Sequence, residues 1–282
     1  MTISGKATVA GVMGWPVGHS RSPRLHNFWL ARAGIDGAYV PFAVPPGRVE
    51  EALRALPALG FAGTNATIPH KEAAFAAVDE TDAIARRIGA VNTVFVRDDG
   101  RLAGTNTDAF GFAEALRGRL GDWSGAGAAA VVLGAGGAAR AIVAALQDEG
   151  AREIRLVNRT AARAEAIRER FGPPVVAVGW EEREEALDGA AFLVNTTALG
   201  MEGGEALDIR LEALPGDAVV NDIVYTPLET PLLASARARG LRAVDGLEML
   251  LHQARPGFAG WYGFEPAVDD ALRAHVAADL LG

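Results

Sequence analysis

The sequence predicts an α/β protein of two domains: an α/β domain built from both chain ends and a doubly wound sheet inserted between them. Three observations lead there. At 282 residues the chain is too long for one small core and fits two domains of ordinary size. Runs rich in β-forming residues alternate with helical patterns twice over, on either side of a Gly/Ala/Ser-rich stretch at 121–127. The last segment carries helical periodicity and no clear strand, so it is expected to return to the first domain. The expected divisions are 1–107, 108–245 and 246–282.

In order, the first domain reads as strand Thr8–Gly14, helix Ser22–Gly34, strand Ala38–Val44, helix Arg48–Leu59, strand Phe61–Thr67 and helix Lys71–Ala77. Val91–Arg97 and Leu102–Thr105 form a hairpin, because Asp99-Gly100 between them supplies the positive φ values such a turn needs. A helix follows from Phe110. The second rhythm runs strand Ala128–Leu133, helix Ala138–Glu149, strand Glu153–Val157 and helix Ala161–Arg170. It continues with strands Val175–Val178, Phe192–Thr196 and Ala218–Tyr225, helix Pro231–Arg239 and strand Arg242–Val244. Strands alternating with helices in this way imply a parallel sheet.

Composition narrows the function classes. Half of the residues are hydrophobic and 22% are charged, which excludes a disordered chain. A net charge of −8 leaves no basic footprint, so neither nucleic acid nor an anionic membrane surface is an expected partner. The chain has no cysteine, which removes disulfides, thiolate metal sites and cysteine nucleophiles together, so any redox chemistry must come from a bound cofactor. With no continuous apolar signal-type segment at the N-terminus, a cytoplasmic setting is expected. The five histidines, 19, 26, 70, 252 and 275, lack ligand spacing, so no metal is expected. A homodimer is compatible with the sequence, which does not encode oligomeric state legibly.

The strongest motif is Gly134-Ala135-Gly136-Gly137-Ala138-Ala139, placed after the apolar run 130–133 and at the head of a helical pattern. In that context it reads as a dinucleotide fingerprint of a Rossmann-type domain. Gly134 makes the tight strand-to-helix turn, Gly136 lets backbone approach a pyrophosphate, and Ala139 allows close helix–sheet packing. The next strand ends in Asn158-Arg159-Thr160, with Arg163 one turn on, where an NAD site would carry an acid for the ribose 2′-hydroxyl. Arg159 can pair with a 2′-phosphate or stack on adenine, and Arg163 adds charge from the same side, so NADP is the expected cofactor. The alternative is an ordinary Arg at a strand end in an Arg-rich protein.

In the first domain, Ser20 and Ser22 flank the start of a helix after a Gly/Pro-shaped loop, an arrangement that suits either anion binding or simple helix capping. Thr64-Asn65-Ala66-Thr67-Ile68-Pro69-His70-Lys71 ends a strand and enters a helix, which puts Asn65, Thr67 and Lys71 at a strand's carboxyl end, where ligands bind in α/β sheets. Of 27 basic residues only Lys6 and Lys71 are lysines. An ammonium can give up a proton where a guanidinium cannot, so Lys71 is the candidate for proton transfer; a solvated lysine at a helix start is the bland alternative. Asn92, Thr107 and Asp108 add amide, hydroxyl and carboxylate groups near the domain junction, and Asp108 either captures a ligand hydroxyl or caps the following helix.

Seven blocks in order carry a family resemblance: Gly14-x-Pro16-x-x-His19-Ser20-x-Ser22-Pro23-x-x-His26-Asn27; Asn65-x-Thr67-x-Pro69-x-Lys71; Gly89-Ala-Val-Asn92-Thr93; Asn106-Thr107-Asp108; Gly134 to Ala138; Asn158-Arg159-Thr160 with Arg163; and Gly246-Leu-x-Met249-Leu250-x-x-Gln253. Over nearly its whole length the chain resembles the shikimate dehydrogenase family. The resemblance implies that Ser20 and Ser22 hold a substrate carboxylate, with Tyr225 as a further contact, and that Thr67, Lys71, Asn92, Asp108 and Gln253 meet the ring hydroxyls. It also implies that Ile223 and Gly246, with Met249 close by, line the nicotinamide side. Lys71 and Asp108 would be the catalytic pair in a reversible NADPH-dependent reduction of 3-dehydroshikimate to shikimate, a step toward chorismate and the aromatic amino acids.

Lys71 would protonate the oxygen of the carbonyl as hydride arrives, with Asp108 orienting the hydroxyls. Ala66, and the segment 195–201, depart slightly from the usual family pattern. Two other readings stay open: a quinate- or aminoshikimate-accepting relative of relaxed specificity, and a silent relative that binds shikimate without turnover. A folate-linked or amino-acid dehydrogenase would account for the glycine-rich half and leave Ser20, Ser22 and Gln253 unassigned.

Overall fold

The protein is described by a computed structural model covering residues 3–121, 124–278 and 280. It divides into two compact units, Met1–Thr107 with Leu251–Val276, and Asp108–Leu250 with Ala277–Gly282. Asp122 and Trp123 of the stretch 121–127, and residues 279, 281 and 282 of the last segment, lie outside the described residues.

The first unit runs β1 (Thr8–Gly14), α1 (Ser22–Ala33), β2 (Gly37–Ala43), α2 (Val49–Ala55), β3 (Phe61–Ala66), α3 (Lys71–Ala77), β4 (Glu80–Thr81), α4 (Ala83–Ile88), β5 (Thr93–Val96) and β6 (Leu102–Thr105). Its six strands lie in the order β2-β1-β3-β5-β6-β4. The β1–β2 and β1–β3 pairs are parallel, and the hairpin joins antiparallel, so this sheet is mixed. Helix α1 buries Leu25, His26, Trp29 and Leu30, positions that recur on one helical face. Helix α2 stops at Ala55 instead of continuing to Leu59, because Pro57 has no N–H to donate. Helix α4 and strand β4 were not expected; six and two residues are too short to show a period, although Asp82 caps α4 by accepting from the Ala85 N–H at 2.8 Å.

The second unit runs α5 (Asp108–Leu120), β7 (Ala129–Leu133), α6 (Gly137–Asp148), β8 (Glu153–Asn158), α7 (Ala161–Phe171), β9 (Val175–Gly179), β10 (Phe192–Asn195), β11 (Val219–Asp222), α8 (Pro231–Ala238) and β12 (Arg242–Val244). Short 3-10 turns at Trp180–Glu182 and Glu185–Leu187 separate β9 from β10. All six strands are parallel, in the order β12-β11-β10-β7-β8-β9. Chain order therefore reverses between β7 and β10, the switch point at whose carboxyl edge doubly wound folds bind ligands. Every residue of β7 is buried, as expected for a strand covered on both faces. Val131 and Leu133 pack with Leu193, Val220, Leu232 and Leu233.

Strand β11 ends at Asp222, three residues before the sequence suggested, because the Asp222 carboxylate accepts the Val224 N–H and turns the chain away from the sheet. Helix α9 (Gly246–Tyr262) carries the chain back to the first unit, and α10 (Asp270–Ala277) follows. Within the first unit the Trp261 indole donates to the Val94 carbonyl, and the Trp29 indole to that of Ala267. Among the described residues no helix is long and apolar enough to cross a membrane, and no group of three or more His, Cys, Asp or Glu side chains could hold a metal.

Candidate active site

In the first unit the candidate residues gather around the carboxyl ends of β1 and β3. The Thr67 N–H donates to the Met13 carbonyl at 2.9 Å, and the Thr67 carbonyl accepts from His70 N–H at 2.7 Å, so the chain turns sharply out of β3. Lys71, half-buried, is the first residue of α3, and its carbonyl accepts from Val91 N–H at 2.9 Å. His70 is buried and its imidazole bonds the Val44 carbonyl at 2.7 Å, which makes it a packing group. Ser22 is the first helical residue of α1 and is buried, while Ser20 is partly exposed. The cap position is Arg21, with no side-chain capping bond of its own, and the Ser20 hydroxyl accepts from the N–H of Ser22 at 3.4 Å.

Behind these groups lies a connected polar network. Asn92 is 2% exposed; its Oδ1 accepts from Thr107 N–H and Thr93 O–H, each at 2.9 Å, and its Nδ2 donates to Thr107 Oγ1 at 3.0 Å and Gln253 Oε1 at 3.3 Å. Asn65 Nδ2 donates to the Asn92 carbonyl and to Thr93 Oγ1, both at 2.9 Å, and its Oδ1 accepts from the Tyr39 hydroxyl. Ser22 also bonds the Tyr39 phenol, whose pKa burial pushes well above the usual range. A network this buried stabilises only if each member finds a partner, and it holds the side chains of Asn92 and Gln253 in one arrangement. Asn92, Thr107 and Gln253 are thus brought together by geometry. Thr93 stood in the motif Gly89-Ala-Val-Asn92-Thr93, whereas Tyr39 was missed from the sequence; a lone tyrosine in a strand carries no signal of what its hydroxyl will reach.

The second unit carries the glycine-rich motif and the candidate cofactor residues. Gly134 has φ +103°, open to glycine and strained for other residues, and a Cβ there would lie 2.7 Å from Thr196 Oγ1. A Cβ at Gly136 would meet nothing within 4 Å, so the backbone before α6 faces open space, as close approach of a pyrophosphate requires. The loop from Gly134 to Ala138 therefore fits a dinucleotide. At the end of β8, Asn158 Nδ2 donates to the Thr160 carbonyl at 2.9 Å, shaping the turn that presents Arg159 and Arg163. Both arginines are exposed; Arg159 lies 3.6 Å from Glu205, a surface pair that a phosphate can displace.

Asp108, 4% exposed, opens α5. Ile223 and Tyr225 sit on the turn after β11, partly buried, and Met249 is buried in α9. Gly246 is packed so tightly on this turn that a Cβ would stand 2.3 Å from the Ile223 carbonyl oxygen. The buried Asp222 and Asn195 behind the turn were also missed. Asp222 was visible in the string Asp222-Ile-Val-Tyr225, but nothing in that string says that its carboxylate points inward.

Comparison with known proteins bears on both halves. Residues 12–94 match the family described as shikimate dehydrogenase substrate binding domain, and residues 117–200 match shikimate / quinate 5-dehydrogenase. A relative from Paramagnetospirillum magneticum, named shikimate dehydrogenase (NADP(+)), is 60% identical over 97% of this chain and 99% of its own. The chain belongs to the shikimate dehydrogenase family. Solved members of the family share its fold. A shikimate dehydrogenase in complex with NADP+ has a TM-score of 0.91 at 35% identity, over 99% of this chain and 98% of its own. Shikimate 5-dehydrogenase from Thermus thermophilus, in complex with NADP(H) and shikimate, has a TM-score of 0.85 at 40% identity, over 97% of this chain and 99% of its own. The Rossmann-type second unit is the fold expected from the sequence.

Proposed function

We propose that this chain is an NADP-dependent oxidoreductase that interconverts 3-dehydroshikimate and shikimate. What supports this reading most is the chain-long identity to relatives named for that reaction. The residues present fit it. Gly134 to Ala138 would hold the pyrophosphate, Asn158, Arg159, Thr160 and Arg163 the 2′-phosphate end, and Ile223, Gly246 and Met249 the nicotinamide. The cofactor, when bound, supplies or accepts the hydride.

The chain's own residues do the rest. Ser20 and Ser22 donate to the substrate carboxylate, with Tyr225 as a third contact. Thr67, Asn92 and Gln253 fix the ring hydroxyls, held in register by the Tyr39–Asn65–Asn92–Thr107 network. In the reductive direction Lys71 gives a proton to the C3 oxygen as that oxygen gains negative charge; in the oxidative direction it takes the proton back. Asp108 orients the neighbouring hydroxyl. The reaction is a step toward chorismate, and its setting is the cytoplasm, in keeping with a chain that has no cysteine.

The test is initial-rate reduction of NADP+ and of NAD+ with shikimate and with quinate on one preparation. Turnover confined to NADP+ with shikimate supports the reading. Equal use of quinate or NAD+ points to a relative of relaxed specificity, and no turnover in any of the four points to a silent shikimate binder. Light scattering on the same preparation decides between a monomer and the homodimer compatible with the sequence.

A further inference from the structure

Asp222 is fully buried at the end of β11 and faces three donors. Its Oδ1 accepts from Asn195 Nδ2 at 2.9 Å and from the Val224 N–H at 3.0 Å, and its Oδ2 accepts from the Thr230 hydroxyl at 2.7 Å. Each donor belongs to a different segment. Val224 is the centre of the Ile223–Tyr225 turn, Thr230 caps α8, and Asn195 ends β10. Asn195 extends the reach: its Nδ2 also donates to the Leu199 carbonyl at 3.0 Å, and its Oδ1 accepts from both the N–H and the O–H of Thr197. Its own carbonyl accepts from Ile223 N–H at 3.1 Å. Thr196 and Thr197 in turn press on Gly134 of the glycine-rich loop, and the Ile223 carbonyl presses on Gly246.

We propose that Asp222 is a positioning residue for the nicotinamide end of the cofactor site, acting through the Ile223–Tyr225 turn and, with Asn195, through the 196–199 loop. The proposal rests on the NADP reading given above. Its chemistry is that of an acceptor-only group: three donors converge, and of the side chains of this size only a carboxylate accepts from all three without offering a hydrogen of its own. Burial raises its pKa to about 6, while the bonds from Thr230, Val224 and Asn195 oppose that rise. A buried carboxylate held by three neutral donors is a poor device for stability alone, since apolar replacements of buried charges are often tolerated. What it supplies is a fixed backbone path for the residues that face the cofactor.

The test compares Asp222→Asn, Thr230→Val and Thr230→Ser with the wild type. Asp222→Asn keeps the shape and turns an N–H toward one of the donors; Thr230→Val removes one bond at constant shape; Thr230→Ser keeps the hydroxyl. Two readouts are used beside the melting curve: the fluorescence of bound NADPH without substrate, and the primary isotope effect with C4-deuterated NADPH. Asp222→Asn and Thr230→Val are expected to change the bound fluorescence, raise the isotope effect and lower kcat/KM for NADPH by about 10- to 100-fold, as sub-ångström to ångström misplacement does. Thr230→Ser is expected to match the wild type in all three. Folded Asp222→Asn and Thr230→Val with wild-type fluorescence, isotope effect and KM would overturn the proposal. If Asp222→Asn does not fold, the Thr230 pair decides by the same criterion. A wild type with no turnover on shikimate defeats the functional reading instead, and the NADPH fluorescence comparison still decides the role of Asp222.

Discussion

Replacing His26 with phenylalanine should alter the response of the first unit to acid. The His26 ring is fully buried, stacked on Tyr39 with centroids 3.9 Å apart and ringed by Trp29, Phe258 and Trp261, and neither ring nitrogen has a hydrogen-bond partner. Burial alone lowers its pKa from 6.5 to about 3. Between those values the unfolded chain binds a proton that the folded one refuses, so this residue's contribution to stability is complete above pH 6.5 and is lost as pH falls toward 3. At pH 4.5 the medium lies two units below the unfolded value, and at about 1.4 kcal/mol per unit the loss is about 2.7 kcal/mol relative to pH 7.5.

Phenylalanine keeps the aromatic stack and does not titrate. The quantity to measure is the stability difference between His26→Phe and wild type at pH 7.5 and again at pH 4.5, from urea unfolding followed by tryptophan emission, since Trp29 and Trp261 pack against the site. All other titrating groups cancel in that double difference. At neutral pH the variant trades relief of two unsatisfied nitrogens, about 1–3 kcal/mol, against a slightly overfilled site, about 1–3 kcal/mol. The pH dependence does not share that ambiguity: the variant should gain about 2.7 kcal/mol on the wild type between pH 7.5 and 4.5. An identical difference at both pH values would refute the burial argument.

Asp222 should respond in the opposite sense: its folded pKa, raised from 3.8 to about 6, makes the wild type lose stability as pH rises through that window. Asp222→Asn should therefore gain about 2 kcal/mol on the wild type in going from pH 4.5 to 7.5, measured by the same unfolding experiment. Gly246→Ala places a Cβ 2.3 Å from the Ile223 oxygen and 2.8 Å from that of Val224, both backbone atoms, and should lower stability by about 1–3 kcal/mol and raise KM for NADP+; a variant as stable as the wild type would contradict the packing. Arg159→Ala with Arg163→Ala should raise KM for NADP+ by about 10- to 100-fold, the worth of charge-assisted bonds to a phosphate, and leave KM for NAD+ unchanged; equal effects on both cofactors would remove the 2′-phosphate role. Lys71→Ala should lower kcat by about 100- to 10,000-fold while NADPH affinity, read by fluorescence titration, stays constant; a wild-type rate would eliminate Lys71 as the proton donor.

Much of the fold was legible because its signals are local. Gly134-Ala-Gly-Gly-Ala-Ala139 after a buried apolar run announces a strand-to-helix turn, since the φ of +103° at Gly134 is a property of that residue's own backbone. Strand β1 and helix α3 fall where expected because caps, prolines and periodicity act within a few residues. The lack of an acid after β8 was equally local, and it pointed to the cofactor. Elements that failed to show, such as α4 and β4, are too short to hold a period.

The sequence by itself determined the α/β class, the cofactor motif and the candidate residues for the chemistry, because those depend on near neighbours and on side-chain type. Only the tertiary structure decided that the Tyr39 hydroxyl reaches Asn65, 26 positions away, that Asn92 meets Gln253 across 161, and that Asp222 points inward at three donors from separate segments. Hydrogen bonds between residues distant in the chain require the exact approach of two backbones, and that approach is set by how whole sheets and helices pack, a quantity no short stretch of sequence contains.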